Sequence, residues 1–519
     1  MDPYQALIDA CVALVLLTLA VFIYTTSREK SRAPYPPGPR RFPLLGNLLD
    51  LPTSFEWVTY ARWCKELGSD IIYVSALGND IVVLDSLEAI EDLLDKRSST
   101  YSSRPRFPMT VEMMGCDWTF ALLPYGTAWR DRRKMFAQYF HPNNTEAYQE
   151  NHTKYVRSIL PGLRDRPEDF MNVIRYAAAG SAISLAYGLP IKKVNDPNID
   201  LAEQTIAKIN ASVLPTNFFV NLIPALKYLP EFMPGSGFKT KAKQWRKLSE
   251  TLITQPFEEV LEGMKKGTVA QSFTCSSLDE LSRTGSENPK DRKVIMDVAA
   301  SIFVGAADTT VAIVSTFIAA MLCFPEAQRK AQQELDIALG GRLPEFSDEP
   351  DLPYVAALVK EVIRWAPITP VAAPHTATED DVYRGYYIPK GTIVIPNSWS
   401  LLHDDVYYPE PDAFKPERFL KDGKLNPEIR DPNSIIFGYG RRVCPGSHIG
   451  LSFFWMAVAT ILTTFEISEE VDQNGSRVKP DIKWHTGVIC EPAPFKCTFT
   501  IRSRKAEELV ESVRFEEGE

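Results

Sequence analysis

The chain has 8 cysteines in 519 residues, yet none stand in C-x-x-C spacing. Without such pairs, neither a zinc site nor a disulfide framework is indicated. Cys11, Cys64, Cys116, Cys275, Cys323, Cys490 and Cys497 read as reduced core or surface thiols, which fits a reducing compartment. There is also no internal repeat and no flavin or nicotinamide motif. Basic charge is in deficit, with 57 Lys and Arg against 66 Asp and Glu, and no dense basic patch offsets the net charge of −9. That balance argues against nucleic acid as a partner. What is plentiful is apolar residue, 45% of the chain, enough for a large core.

One apolar run opens the chain. Ala10 to Ser27 is uncharged over 18 residues, near the minimum that crosses a bilayer, with Tyr24 at an interfacial position. Asp2 and Asp9 precede it and Arg28, Lys30 and Arg32 follow, so the positive-inside bias puts everything after residue 28 in the cytosol. The acidic leader and the lack of a small-x-small site distinguish this run from a cleaved signal peptide. Residues 1–27 are thus expected to be a single-pass transmembrane anchor, 28–41 a basic, proline-rich hinge, and 42–519 one large domain. Within the hinge, PYPPGPR (Pro34 to Arg40) can join neither a helix nor a central strand and reads as a stiff spacer. Sequons at Asn143, Asn151, Asn210 and Asn474 would carry no sugar in a cytosolic domain.

Further along, Asp70 to Asp85 alternates two apolar runs around Gly78-Asn79-Asp80 and predicts a β-hairpin. Arg384 to Asn397 predicts a second pair turning at Pro389-Lys390-Gly391, and Phe495 to Ile501 a further strand. Val294 to Phe324 is apolar on most faces and ends at Pro325, so it predicts a helix of roughly 45 Å. The polar stretch Lys265 to Lys293 has the composition of a surface linker between two lobes. Long helices with a few hairpins and no βα alternation make the expected fold mainly α with small β-sheets.

Chemistry concentrates near the C-terminus, in FGYGRRVCPG, Phe437 to Gly446. Gly438, Gly440 and Gly446 let the backbone turn sharply and come close to a flat ligand. The apolar run after Pro445 reads as a helix, with Cys444 near its N-terminus, where a thiolate would be favoured and its pKa lowered. A thiolate on such a loop, with arginines beside it, is what axial ligation of haem iron requires. His448 lies one turn further on and is not expected as a ligand, because the glycines frame the cysteine.

Five other motifs precede this loop. WRDRR puts Trp129 and Arg133 on one helical face. GAADTT, Gly305 to Thr310, places poor helix formers inside the long apolar helix, where a Thr hydroxyl bonding back to the chain opens the ladder. EVIR carries Glu361 and Arg364 one turn apart, and PERF, with Arg418, follows about fifty residues later. Between them, PITPVAAPH ends in His375.

Taken in this order, the motifs resemble the cytochrome P-450 family, and the resemblance runs from about Pro36 to the C-terminus. Phe437, Gly440, Arg442, Cys444 and Gly446 occupy the fixed positions of F-x-x-G-x-R-x-C-x-G. The resemblance implies the cytochrome P-450 fold and haem b (iron protoporphyrin IX) as cofactor, with Cys444 as axial iron ligand. Trp129, Arg133, His375 and Arg442 would serve its propionates, and Phe437, Gly440 and Gly446 would frame the ligand loop. Asp308 and Thr309 would be the acid–alcohol pair that relays protons to dioxygen, Ala306 standing where a glycine is common. Glu361, Arg364 and Arg418 would form a buried charge network that holds the cysteine loop. Electrons would come from NADPH–cytochrome P-450 reductase, with cytochrome b5 as a second donor, at the endoplasmic reticulum membrane.

The nearest resemblance, carried by PHTATEDDVYRGYYIPKGT and LKYLPEFMPGSGF, is to fungal microsomal members of secondary metabolism. It implies oxidation of an apolar small molecule, a terpenoid above an aromatic, indole or polyketide intermediate. A haem-thiolate isomerase or dehydratase working without O₂ would not need the Asp308-Thr309 pair, nor a non-catalytic haem sensor an apolar pocket. By family position that pocket draws on Phe107 to Leu123, Val213 to Pro224, Phe303 to Ala307, Ile368 to Ala373 and Thr486 to Ile489. Glu112 and Asp117 are the carboxylates an amine substrate could find before the central helix. Leu222 to Phe238, apolar and broken by prolines, is a candidate lip dipping into the bilayer.

Overall fold

In the computed structural model, residues 33–513 are described apart from 193–194, 215, 286–287, 471–475 and 479. The expected anchor at residues 1–27, and the hinge up to residue 32, lie outside the described residues.

Helix α1 (Glu56–Leu67) leads into strands β1 (Ile71–Ala76) and β2 (Asn79–Leu84), paired antiparallel from Ile71 opposite Leu84 to Ala76 opposite Asn79. The hairpin stands where the alternation put it, but the turn is Leu77-Gly78, both with positive φ (49° and 81°), as the tightest hairpin loops require. The second expected pair is not formed. Strands β3 (His375–Thr376), β4 (Asp381–Tyr383), β5 (Tyr386–Ile388) and β6 (Ile393–Pro396) divide between two sheets. Arg384 and Gly385, again at positive φ, close β5 onto β4 before Pro389 is reached. That frees β6 to run parallel to β2 and antiparallel to β3, in the order β1-β2-β6-β3. The described part of the hinge bonds to both sheets. Tyr387 N–H donates to the Pro34 carbonyl at 2.8 Å, Tyr73 N–H to that of Pro37 at 2.9 Å, and the Tyr35 ring stacks on Tyr73 at 4.5 Å.

Helices carry the rest: α2 (Thr127–Tyr139), α3 (Phe170–Tyr187), α4 (Pro197–Val213), α5 (Gly237–Lys266), α6 (Phe273–Thr284), α7 (Pro289–Cys323), α8 (Pro353–Trp365) and α9 (Ser447–Thr464). The Lys265 to Lys293 stretch is not a linker, for it contains α6. Ser272 caps that helix by accepting the Cys275 N–H, and Phe273, Cys275 and Leu278 are buried, so the polar composition belongs to its outer face. Helix α7 is the long central helix. Asn288 caps it by accepting the Lys290 N–H at 3.0 Å, Pro289 starts the first turn, and Pro325 follows its end. It packs against α3, α9 and α2 and is buried along most of its length. By length and composition α7 and α9 could cross a membrane, but 61% of each apolar window is buried in the domain, so both serve as core. Strands β7 (Phe465–Ser468), β8 (Trp484–His485), β9 (Glu491–Pro492) and β10 (Thr498–Ile501) make two small ladders, β7 with β10 and β8 with β9. The strand expected from Phe495 begins only at Thr498.

Candidate functional site

Cys444 sits on a closed loop just before α9, its N–H donating to the Phe437 carbonyl at 2.8 Å. Gly440 has φ +56°, and a Cβ there would stand 2.1 Å from the Leu94 carbonyl oxygen, so only glycine lets the loop seat on the 91–96 segment. At Gly440 this packing accounts for the glycine beside the ligand approach expected of the loop. Gly438 borders a cavity; Gly440 and Gly446 do not. Burial pushes the Cys444 thiol up from its ordinary value, against the Gly446 N–H and the Arg133 charge, which both pull it down. The expected lowering by the helix start is thus outweighed by desolvation.

The cavity beside Cys444 holds about 300 Å³. Phe437, Gly438, Cys444, Gly450 and Phe454 line one side; Gly305, Thr309, Thr310 and Ile313 of α7 line another. Trp129, Arg133, His375 and Arg442, expected from three separate motifs, all border it. Arg104 borders it too and was not foreseen, since an arginine between a serine and a proline in a loop carries no pattern. It donates to the carbonyls of Ala121 (3.1 Å), Ala373 (2.6 Å) and Pro374 (2.8 Å). Arg442 likewise donates to the Ser102 (2.7 Å) and Leu123 (2.5 Å) carbonyls, and Arg133 to that of Val443 (2.6 Å). Among the described residues no carboxylate pairs with Arg104 or Arg442, although both are buried. Burial pulls the first down to about 9 and the second down to about 10, each helped by a neighbouring arginine. Two buried cations without a counter-charge are a fit for a ligand bearing two carboxylates.

His375 is buried beside them, its Nδ1 2.7 Å from the Tyr101 carbonyl. A carbonyl can only accept, so Nδ1 carries the proton and Nε2 of the neutral ring is an acceptor. Burial, then the Arg104 charge, holds this imidazole well below its usual range. To donate from Nε2 to a carboxylate the ring would have to gain a second proton.

Thr309 faces the cavity and donates to the Gly305 carbonyl at 2.8 Å, the backbone bond that the polar notch suggested. Asp308 does not border this cavity; it is turned to the other side of α7, where Asn210 Nδ2 donates to its Oδ2 at 3.2 Å. WRDRR holds a further surprise: Arg132, one residue from Arg133, pairs with buried Asp297 of α7, which Lys293 also reaches at 3.1 Å. That pair locks α2 onto the central helix.

The Glu361 network is as buried as expected. Arg364 Nε meets Glu361 at 2.8 Å and Arg418 Nε at 3.1 Å. Arg364 and Arg418 donate to the Leu402, Pro409, Glu410 and Ala413 carbonyls, and Glu361 accepts the Lys415 N–H at 2.7 Å. It therefore pins the 402–418 segment, and Arg364 also faces the ring of Tyr408, whose hydroxyl donates to the Arg430 carbonyl.

Of the stretches expected to line a substrate pocket, Phe120, Ala121, Gly305, Ile368, Thr369, Ala372 and Ala373 border the cavity. None of the described residues of 213–224 or 486–489 does; Val220 instead packs with Met109 and Ala242 in a separate apolar cluster. Glu112 pairs with Arg106 and, at 2.7 Å, with Lys227, and Asp117 is exposed.

A family model described as Cytochrome P450 matches residues 36–499. The chain belongs to the cytochrome P450 family. Its P450 relatives include Cytochrome P450 monooxygenase ple1 of Rhodocybe pseudopiperita, 42% identical over 486 residues (93% of this chain, 92% of that protein). Cytochrome P450 monooxygenase 98 of Postia placenta is 41% identical over 505 residues (96% and 97%). Tryptamine 4-monooxygenase of Psilocybe cyanescens is 39% identical over 508 residues (97% and 99%). The protein is thus an oxidoreductase of the P450 monooxygenase type, and membership of the family implies haem.

Proposed function

We propose that this P450 is a haem-thiolate monooxygenase that oxidises an apolar small molecule, a terpenoid above other classes, in secondary metabolite biosynthesis of the fungal type. The observation that carries the reading is the meeting in one cavity of the Cys444 thiol, two buried guanidiniums without a counter-charge, and the Thr309 hydroxyl. Haem b would be held by Cys444 at its iron and by Arg104, Arg133, Arg442, Trp129 and His375 around its carboxylates. When bound it supplies reductive activation of O₂, in which one oxygen atom enters a C–H bond and the other leaves as water after taking up two protons.

The protein's own residues supply the rest. Thr309 presents its hydroxyl at the cavity wall, where it can hand on a proton, and Asp308 is its neighbouring acid. Burial raises the Asp308 carboxyl, opposed by Asn210 and Arg175, which brings it closer to a working proton donor at neutral pH. Ile313, Ile368, Ala372 and Phe120 exclude water from the reacting end.

No carboxylate borders the cavity among the described residues, which favours an uncharged substrate over an amine. A second reading, hydroxylation of an indole-type intermediate, draws on the relative whose name gives tryptamine as its substrate. Electrons are assigned to NADPH–cytochrome P-450 reductase, with cytochrome b5 as second donor, and the protein to the endoplasmic reticulum membrane. Exposed Phe219, Tyr228 and Phe232, near exposed Leu44 and Leu49, favour a lipid-facing lip there; Asn79 at the β1–β2 turn bonds the Leu222 carbonyl at 3.0 Å and joins the two patches.

The test is the carbon monoxide difference spectrum of the reduced protein in microsomes, wild type beside Cys444→Ala. A red-shifted Soret band lost in the variant supports thiolate ligation; a band kept in the variant overturns it. Titrating the holoenzyme with a sesquiterpene hydrocarbon and with tryptamine then separates the two readings by which ligand shifts the Soret band.

A further inference from the structure

Helix α7 presents two faces to two different cavities. Gly305, Thr309 and Thr310 border the one beside Cys444, whereas Ala307 and Asp308 border a second, of about 280 Å³, walled by α3, α4 and β9. Asn210 of α4 holds the Asp308 carboxyl in this second cavity. The cavity has apolar walls, with Arg175, Glu203, Asp308 and Glu491 as its charged side chains. Arg175 of α3 pairs with Glu203 of α4 at 3.1 Å, and Glu491 of β9 forms a further wall. The Glu203 side chain is 46% exposed, while Asp308 and Glu491 lie deeper. Carboxyl groups therefore run from solvent inward to the residue next to Thr309. Asp200 on α4 and His485 on β8 are the other charged or titratable groups that act on this set.

We propose that Glu203 and Glu491 load Asp308 with protons from solvent through this second cavity, with Asn210 as the positioning residue that keeps the Asp308 carboxyl turned into it. The inference rests on the acid–alcohol reading of Asp308 and Thr309 given above. In each transfer the O–H bond of a protonated glutamate breaks as an O–H bond forms on the Asp308 carboxylate. The glutamate, now an anion, takes its next proton from water at the mouth, so charge balances without an oxidant or reductant. Burial lifts all three carboxyls above their ordinary range, and the Asp308 charge raises Glu491 and Glu203 further, against Arg175. A proton is thus held within the set closer to neutral pH than on an exposed carboxylate. A merely structural cluster bracing α3 against α4 would have no need of Glu491, which comes from a distant hairpin.

The experiment uses the reductase-coupled holoenzyme and follows NADPH oxidation in H₂O and D₂O over a pH series. For Glu491→Gln we expect a rate lower by about tenfold and a larger solvent isotope effect, with the carbon monoxide band intact and the rate restored in Glu491→Asp. Glu203→Gln should act in the same direction, and Asn210→Ala should move the pH profile upward, since its bond lowers the Asp308 carboxyl. In the infrared, Glu491→Gln should diminish the protonated-carboxyl band of the holoenzyme. If the Glu203→Gln/Glu491→Gln double variant keeps the wild-type rate and isotope effect while Asp308→Asn is slow, this inlet is overturned and the acid–alcohol reading stands. If Asp308→Asn itself is unchanged, the acid–alcohol reading fails and the inlet falls with it.

Discussion

The Arg442 guanidinium lies over the indole ring of Trp129, 4.6 Å from its centroid, and this stack joins the cysteine loop to α2. The same guanidinium donates to carbonyls of residues 102 and 123, so one side chain fastens three segments around the cavity. Lysine could supply the charge but neither the fork nor the flat face.

Arg442→Lys should therefore lose haem rather than merely bind it less tightly at one contact. Each buried carbonyl left without a donor costs about 1–3 kcal/mol. The check is the haem-to-protein ratio of the purified variant together with its thermal midpoint; Trp129→Ala, which removes a stack of about 1–2 kcal/mol, should fall between it and wild type.

Arg364→Ala should be far more damaging. Both Arg364 and Glu361 have side chains at 0% exposure, so the variant leaves a buried carboxylate with Arg418 as its remaining cationic partner. Removing one partner of such a pair costs about 3–5 kcal/mol. Limited proteolysis should show the first new cuts within 402–418, the segment the network pins, rather than in the cysteine loop.

Gly440→Ala and Gly446→Ala should part company, although the motif treats them alike. At Gly440 a Cβ meets the Leu94 carbonyl and the backbone sits at φ +56°; at Gly446 the nearest neighbour is the Phe136 ring at 3.8 Å and φ is −97°. Denaturant titration of the haem-free protein should show a loss of at least about 1–3 kcal/mol for the first. The second should stay within about 0.5 kcal/mol of wild type.

Two buried histidines should make the fold lose stability in mild acid. Burial pulls His152 down to about 3 and His403 down to about 4, from an unfolded value near 6.5. Both stay neutral in the fold while the unfolded chain takes up their protons. Stability is full above about pH 6.5 and falls as pH drops toward the folded values, by up to roughly 1.4 kcal/mol per pH unit for each group. Urea midpoints at neutral and mildly acid pH should diverge in wild type, and the divergence should shrink in His152→Gln. A midpoint independent of pH over that window would count against neutral buried histidines.

The local chemistry of the site was legible in the sequence because short-range pattern sets it. Cys444 and its glycines, Trp129 with Arg133, and Glu361 with Arg364 are spaced by loop and helix geometry, and the structure places Trp129, Arg133 and Cys444 around one cavity and buries the Glu361–Arg364 pair. The same held for α7, whose long proline-free apolar run predicted a helix, and for the β1–β2 hairpin. Partner choice was not legible. Strand β6 pairs with β2, more than 300 residues away, since a period of two says which residues face inward but not which strand lies alongside. The polar outer face of α6 hid a helix for the same reason, because its buried face is complete only against α3, α5 and α7. Arg104 carries no motif and Asn210 only a sequon unrelated to this role, and the fold alone brings the first to the cavity and the second to Asp308. The cysteine's environment shows the division most sharply. Sequence gives the thiol a helix start and arginines, which lower its pKa, but only packing decides that it is buried deeply enough for desolvation to outweigh them.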